Sequence, residues 1–291
     1  DSSTGSSAAV IVSESTLAHT SLLLPLEKTG QIVGESDAAK QLVHLGSDLK
    51  RILDYSGSGL DQVIQINICV KNRHDLPKVQ HELVTLFKGK TLPATTFVAG
   101  DLPHPKALVA IDAVAVSSWK SKKTVQILTH PEVFHQQGQS HVALLPWGET
   151  IYLSGWVHRG KGELATAVDG TMEFQQKLLN RLGGNLDGVV RIRVFLKPAT
   201  ERDTVAAAIA KLFKGHEAVP PVVYTPWGNK RTPEIEFIVA GRKPMKKPRR
   251  AGVEFFNVPE LKASPVFSRA TRINSDRRIY LSGIAGGAGD S

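Results

Sequence analysis

At 291 residues, 41% of them hydrophobic and 22% charged, the chain has the composition of a globular protein and enough length for two cores, which excludes a chain that is disordered throughout. The single cysteine, Cys69, excludes an internal disulfide framework and a cysteine-rich zinc site, and no apolar run is long enough to cross a bilayer. The formal charge of +9 is concentrated in two stretches, at Lys120, Lys122 and Lys123 and again from Arg242 to Arg250; neither interleaves aromatic rings that would stack on bases, so both read as solvated connectors rather than nucleic-acid surfaces.

In chain order, apolar stretches at Ala9–Val12 and Leu17–Leu26 open a first module spanning about 8–118. Ser36-Asp37 offers a helix cap, and Leu42, Leu45, Leu49, Ile52 and Leu53 then recur at helical spacing until Gly57 and Gly59. Ile64, Ile66, Ile68 and Val70 alternate with Gln65, Asn67 and Cys69, the period of a strand, which makes Cys69 a buried strand residue. Pro77 starts a second helix with Val79, Leu83, Leu86 and Phe87 inward, ending at Gly89; Pro93–Ala99 and Ala107–Val116 close the module as strands.

A second module at about 134–241 follows the same order. It has a strand pair at 141–147 and 149–158, a helix over 163–182, a strand through Val190, Ile192, Val194 and Leu196, and a helix capped by Thr200; Val219–Tyr224 and Glu234–Ala240 finish it. The stretches 119–133 and 242–252 are read as basic linkers, the second an extended spacer because of Pro244 and Pro248. From about 253 to 291 a third copy begins, with strands at Ser264–Ile273 and Arg278–Ile284. Two strands make no core, so this fragment either packs on the preceding modules, pairs with another chain, or belongs to a longer unit; the reading favours a lost continuation.

Two echoes support copying. Ile151-Tyr152-Leu153-Ser154-Gly155 returns unchanged as Ile279-Tyr280-Leu281-Ser282-Gly283, and Leu60-Asp61 through Lys88-Gly89 matches Leu186-Asp187 through Lys214-Gly215 without a gap. An even offset keeps each strand residue on its own face.

The ββαβαββ order, the phrase Ser264-Pro265-Val266-Phe267-Ser268-Arg269-Ala270 before Ile279–Gly283, and Pro93-Ala94-Thr95-Thr96 leading to Leu102-Pro103 together resemble the Rid (YjgF) family. The resemblance implies an α+β, chorismate-mutase-like fold in tandem modules with a pseudo-trimeric arrangement, and ligand clefts between neighbours. It implies imine or enamine deaminase chemistry, with endoribonuclease as an inherited label.

Several positions depart from the family pattern. Where the family holds a substrate carboxylate with an arginine, this chain has Thr95 in the first module and Pro220-Pro221-Val222 in the second; Lys230 or Arg231 is a candidate substitute, against a reading of both as loop charges. Where the family places a glutamate that positions water, aligning Ile111 with Ile235 gives Ala110 in the first module and Glu234 in the second. Glu234 is therefore the candidate catalytic acid, or else a strand carboxylate beside Glu236. Ser154, Gly155, Ser282 and Gly283 fall where the family's cleft comes close to backbone, with a strand bend as the alternative; Ser21-Leu22 fills that place in the first module and narrows its cleft. Phe267 replaces the family's cleft tyrosine and reads as packing.

No cofactor is implied. His130 and His135 lack a completing ligand for a metal, and Gly286–Gly289 lacks the Lys-Ser/Thr of a phosphate loop. The resulting expectation is a soluble Rid-like protein whose compartment the sequence leaves open, with the cytoplasm favoured. Its partners would be a small anionic or carbonyl-type ligand and either itself or a chain completing the third module, with nucleic acid a less favoured alternative and no membrane. It is either a hydrolase of C=N bonds or a noncatalytic binding or scaffold protein; an RNA-binding or endoribonuclease reading is weaker because no ribonuclease acid–base pair is recognisable.

Overall fold

The computed structural model describes residues 6–88, 93–120, 125–136, 138–158, 163–227, 233–241, 252–257, 266–275 and 277–283. Gly89, Lys230, Arg231, Ser264, Pro265, the basic runs at 121–124 and 242–250 and the glycine-rich 286–289 lie outside these residues, as does the side chain of Thr200. Among the described residues no helix is long and apolar enough to cross a membrane.

The strands are β1 (Ala9–Ser13), β2 (Thr16–Thr20), β3 (Val63–Val70), β4 (Ala94–Ala99), β5 (Val109–Ser117), β6 (Gln126–Leu128), β7 (Val142–Leu145), β8 (Thr150–Trp156), β9 (Val189–Phe195), β10 (Val222–Thr225), β11 (Glu234–Ala240), β12 (Val253–Phe256), β13 (Ala270–Ile273) and β14 (Arg277–Leu281). The helices are α1 (Ala38–Tyr55), α2 (Leu76–Phe87), α3 (Leu164–Arg181) and α4 (Arg202–Leu212).

Local sequence explains the helices. The Asp37 carboxylate accepts from the amides of Ala39 at 3.1 Å and Lys40 at 3.2 Å, satisfying two of the free donors at the start of α1, and its apolar stripe is wholly buried. Pro77 sits in the first turn of α2, whose left-handed end falls at Lys88 with φ 50°.

Two six-stranded sheets share one plan, β4-β3-β5-β2-β7-β6 and β10-β9-β11-β8-β13-β12, each with one parallel pair (β3 with β4, β9 with β10) and helices packed on one face. This is the tandem α+β architecture implied by the sequence, with one correction. The opening strands do not fold back as hairpins within their modules. β7, read as the first strand of the second module, pairs with β2 of the first sheet rather than with β8; β13 of the third copy pairs with β8; and β14 pairs with β1.

The three seams share a register: Thr20 opposes Val142, Leu153 opposes Ala270, and Leu281 opposes Ala9. Each ladder gains one more equivalent bond, from Ser21 N–H to His141 O at 2.8 Å, Ser154 N–H to Arg269 O at 2.9 Å and Ser282 N–H to Ala8 O at 3.0 Å. The links between the paired elements redirect the chain from one sheet to the next. The turn between β7 and β8 passes through Gly148 at φ 134°, a conformation that a side chain would disfavour.

The stretch 119–133 is consequently not a free linker: it contributes β6 to the first sheet and Val133 to the first core. The third copy is likewise three strands rather than two, and β12 with β13 completes the second sheet. Alternation decides what each swapped strand buries. Val142 and Leu144 of β7 enter the core under α1 and α2, whereas Ala143 and Leu145 join Leu17, Ile64, Val114 and Val190 in a separate inner core between the sheets.

The repeated pentapeptide measures how much the helices matter. Ile151 and Leu153 are 1% and 2% exposed beneath α3, yet Ile279 and Leu281 in the same five-residue sequence are both 61% exposed, because no described helix covers β14.

Strand exchange makes the first module depend on a residue of the second. Leu144→Ala is predicted to cost about 2–5 kcal/mol and to reduce hydrogen-exchange protection in β2 and β5 more than in β8 and β9. Unchanged protection in β2 and β5 would contradict the exchange.

Candidate active site

The seams bring the residues singled out from the sequence into two groups. At the first, β14 meets β4. The Thr95 amide donates to Ser282 Oγ at 2.8 Å, Gly283 N–H donates to Thr95 O at 3.0 Å, and Ser282 Oγ donates to Ser7 O. Thr95 is 4% exposed and its hydroxyl donates to Pro93 O at 3.1 Å. Its one proton is thus committed to backbone, and a Cβ on Gly283 would lie 3.0 Å from the Thr96 side chain. Here the glycine admits a protein side chain.

The equivalent contact between the first two modules is Leu22 N–H to Val222 O at 3.0 Å. With leucine in place of glycine, the cavity there, lined by Ser21, Leu22, Val222 and Tyr224 among others, has a volume of only about 40 Å³. That is room for about one to three waters and not for a metabolite.

The second group holds Ser154, Gly155 and Glu234. Antiparallel pairing of β11 with β8, with a bulge between Ile235 and Phe237, brings the half-buried Glu234 side chain directly over Gly155; a Cβ at Gly155 would overlap its carboxylate. Since Gly155 is not among the residues with positive φ, the glycine is required for space rather than for backbone conformation. Gln175, fully buried on α3, donates to Ser154 O at 2.9 Å and Ile235 O at 2.6 Å, locking the helix to both strands beneath the site. Ser154 Oγ donates to Ser268 O at 2.6 Å.

One residue of this group was not singled out from the sequence. Arg269, brought in by the β8–β13 seam, lays its guanidinium 4.9 Å from the Trp156 ring centre and 5.0 Å from that of Phe267, while Trp156 stacks on Phe174 at 4.2 Å. Its buried Nε–H has no acceptor among the described residues. Phe267 thus forms part of a cation-holding wall. The signal was present in the phrase Phe267-Ser268-Arg269, but its placement beside Ser154 and Trp156 depends on a seam that the sequence does not display.

Other groups singled out from the sequence differ in their electrostatics. Burial raises Glu236 above the usual carboxylate range despite the opposing influence of Arg193. Burial also pushes the Cys69 thiol up to about 11, so Cys69 is a neutral strand residue at physiological pH rather than a nucleophile. His130 and His135 lie near His141, whose Nδ1 accepts from the His130 amide at 2.9 Å, and His135 meets His141 edge to face at 5.6 Å.

The family model for endoribonuclease L-PSP matches residues 5–117. The 3-aminoacrylate deaminase RutC of Acinetobacter baylyi is 30% identical over 99 residues, which is 34% of this chain and 78% of that protein. Among solved structures, the Rid-family protein YyfB of Yersinia pestis is 25% identical, covering 36% of this chain and 80% of that one with a TM-score of 0.34. The YjgF gene product of E. coli is also 25% identical, covering 38% and 93% with a TM-score of 0.33.

Proposed function

The chain belongs to the Rid (endoribonuclease L-PSP) family, and from that membership we propose that it hydrolyses small imines or enamines beside Glu234. The observation that carries this reading is the Glu234 carboxylate packed on Gly155, where any Cβ would overlap it, together with the Arg269 guanidinium held against the Trp156 and Phe267 rings. A carboxylate so placed takes a proton from water as the oxygen adds to the C=N carbon. It then returns that proton to nitrogen, and as the C–N bond breaks the new hydroxyl group passes its own proton through the carboxylate to the departing nitrogen, which releases ammonia and leaves a carbonyl; an enamine enters this sequence as its imine tautomer. Arg269 is positioned to bind an anionic substrate group in place of the arginine lost at Thr95. The relative named for 3-aminoacrylate, a carboxylate-bearing enamine, supports the same substrate class. The other two seams are read as structural, since backbone bonds and Leu22 fill them.

Ammonia release from freshly generated 2-imino acids tests the proposal. Glu234→Gln is expected to lower kcat by roughly a hundredfold or more. Gly155→Ala, which has only a flexible side chain to displace, is expected to fold normally and lose activity in parallel. Arg269→Gln is expected to raise KM more than it lowers kcat. Absence of ammonia release by the unmodified protein, or equal rates in Glu234→Gln, would overturn the reading.

The bare face of β14 supports a second proposal, that the chain associates with itself. Ile279 and Leu281 at 61% exposure adjoin Ile11 at 53% on the paired strand β1, an apolar surface that water disfavours. Sedimentation velocity is expected to show concentration-dependent association that is abolished by Ile279→Lys with Leu281→Lys. A monomer at all concentrations would contradict it.

A further inference from the structure

His19, Tyr152 and Tyr280 occupy the same register position in the three seams, opposite Ala143, Thr271 and Val10. All three line one cavity of about 1110 Å³ between the sheets, which also takes in Arg191, Arg193 and Arg278. The site does not include Glu234 or Arg269.

The charges around this cavity do not balance. Arg191, 2% exposed, is paired with the buried carboxylate of Asp112, and Arg193 lies directly across the β9–β11 ladder from Glu236. Among the described residues Arg278, 5% exposed, has only neutral acceptors: it donates to Gly148 O at 2.8 Å and to Thr150 Oγ1, and it contacts the Tyr152 hydroxyl. A buried guanidinium with no counter-charge is costly. Arg277 adds a further exposed cation at the rim.

The hydrogen-bond inventory points the same way. Arg191 Nε, Arg278 Nε, the Tyr280 hydroxyl and both ring nitrogens of His19 are buried without a partner among the described residues. Each of these groups has a proton to donate, His19 from one nitrogen of its neutral ring, and a buried donor left unmet is costly. The neutral ring is favoured because burial first, and then the nearby Arg191, Arg278 and Arg193, hold the His19 pKa well below the usual histidine value.

We infer that this central cavity is a binding site for a small oxyanion, seated between Arg278 and Arg191 and capped by His19 and Tyr280. A phosphate or carboxylate group supplies both the missing charge and several acceptor lone pairs to donors already buried there. Glu236 tempers the site, because its carboxylate faces the same space.

Inorganic phosphate and succinate, titrated by calorimetry against the full chain at constant ionic strength, separate a phosphate site from a carboxylate site. Saturable binding of one or both at one site per chain is expected. Arg278→Gln, which keeps a donor for Gly148 and Thr150, should weaken binding roughly tenfold or more. Glu236→Gln should tighten it, a change that a misfolded variant cannot mimic. Glu234→Gln should leave anion binding in place whatever it does to ammonia release. Failure of both anions to bind, or binding unchanged in both Arg278→Gln and Glu236→Gln, would overturn the assignment.

Discussion

An open strand edge that must be paired governs this molecule. β2, β8 and β14 each follow a turn that carries the chain away from its own preceding strand, leaving one side of each backbone without a local partner. Backbone amides and carbonyls left unpaired in a buried sheet are expensive. In every case the vacancy is filled by the opening strand of another copy, in a common register: β7 against β2, β13 against β8, β1 against β14. The copies are therefore not beads on a string. Each sheet is finished by its neighbour, and the last seam returns to the first strand, closing the chain on itself.

That closure ties chemistry to assembly. The groups on which both proposals rest meet where chain segments distant in sequence are joined: the β8–β13 seam brings Arg269 beside Ser154, and Arg278 of β14 reaches Gly148 and Thr150 at the start of β8. Divergence among the copies then becomes divergence among the seams. Leucine at position 22 closes one, Thr95 with Ser282 ties another through hydrogen bonds, and glycine at 155 leaves the third open to the Glu234 carboxylate.

Much of the fold was legible in the sequence because period reports which face a residue presents. The α1 stripe, the alternation of Ile64 to Val70 and the cap at Asp37 all depend on local geometry, and the structure follows them. Pairing partners are another matter. A strand that folds back as a hairpin and one that is handed to a neighbouring sheet have the same alternating pattern, so Val142–Leu145 could not announce its partner. For the same reason β6 lay hidden in a stretch read as a linker. The repeated pentapeptide is the sharpest case: Ile151 and Ile279 are locally indistinguishable, and only the presence of α3 makes one of them core. At the site, alignment of the closing strands located Glu234, whereas Arg269 required knowledge of the seam.

The most direct test of strand exchange is the pattern of backbone nuclear Overhauser effects in a deuterated sample. Cross-strand contacts joining Leu17–Thr20 to Val142–Leu145, and Ala9–Ser13 to Arg277–Leu281, are the result predicted by this account. Contacts joining Val142–Leu145 to Thr150–Trp156 as a hairpin would contradict it.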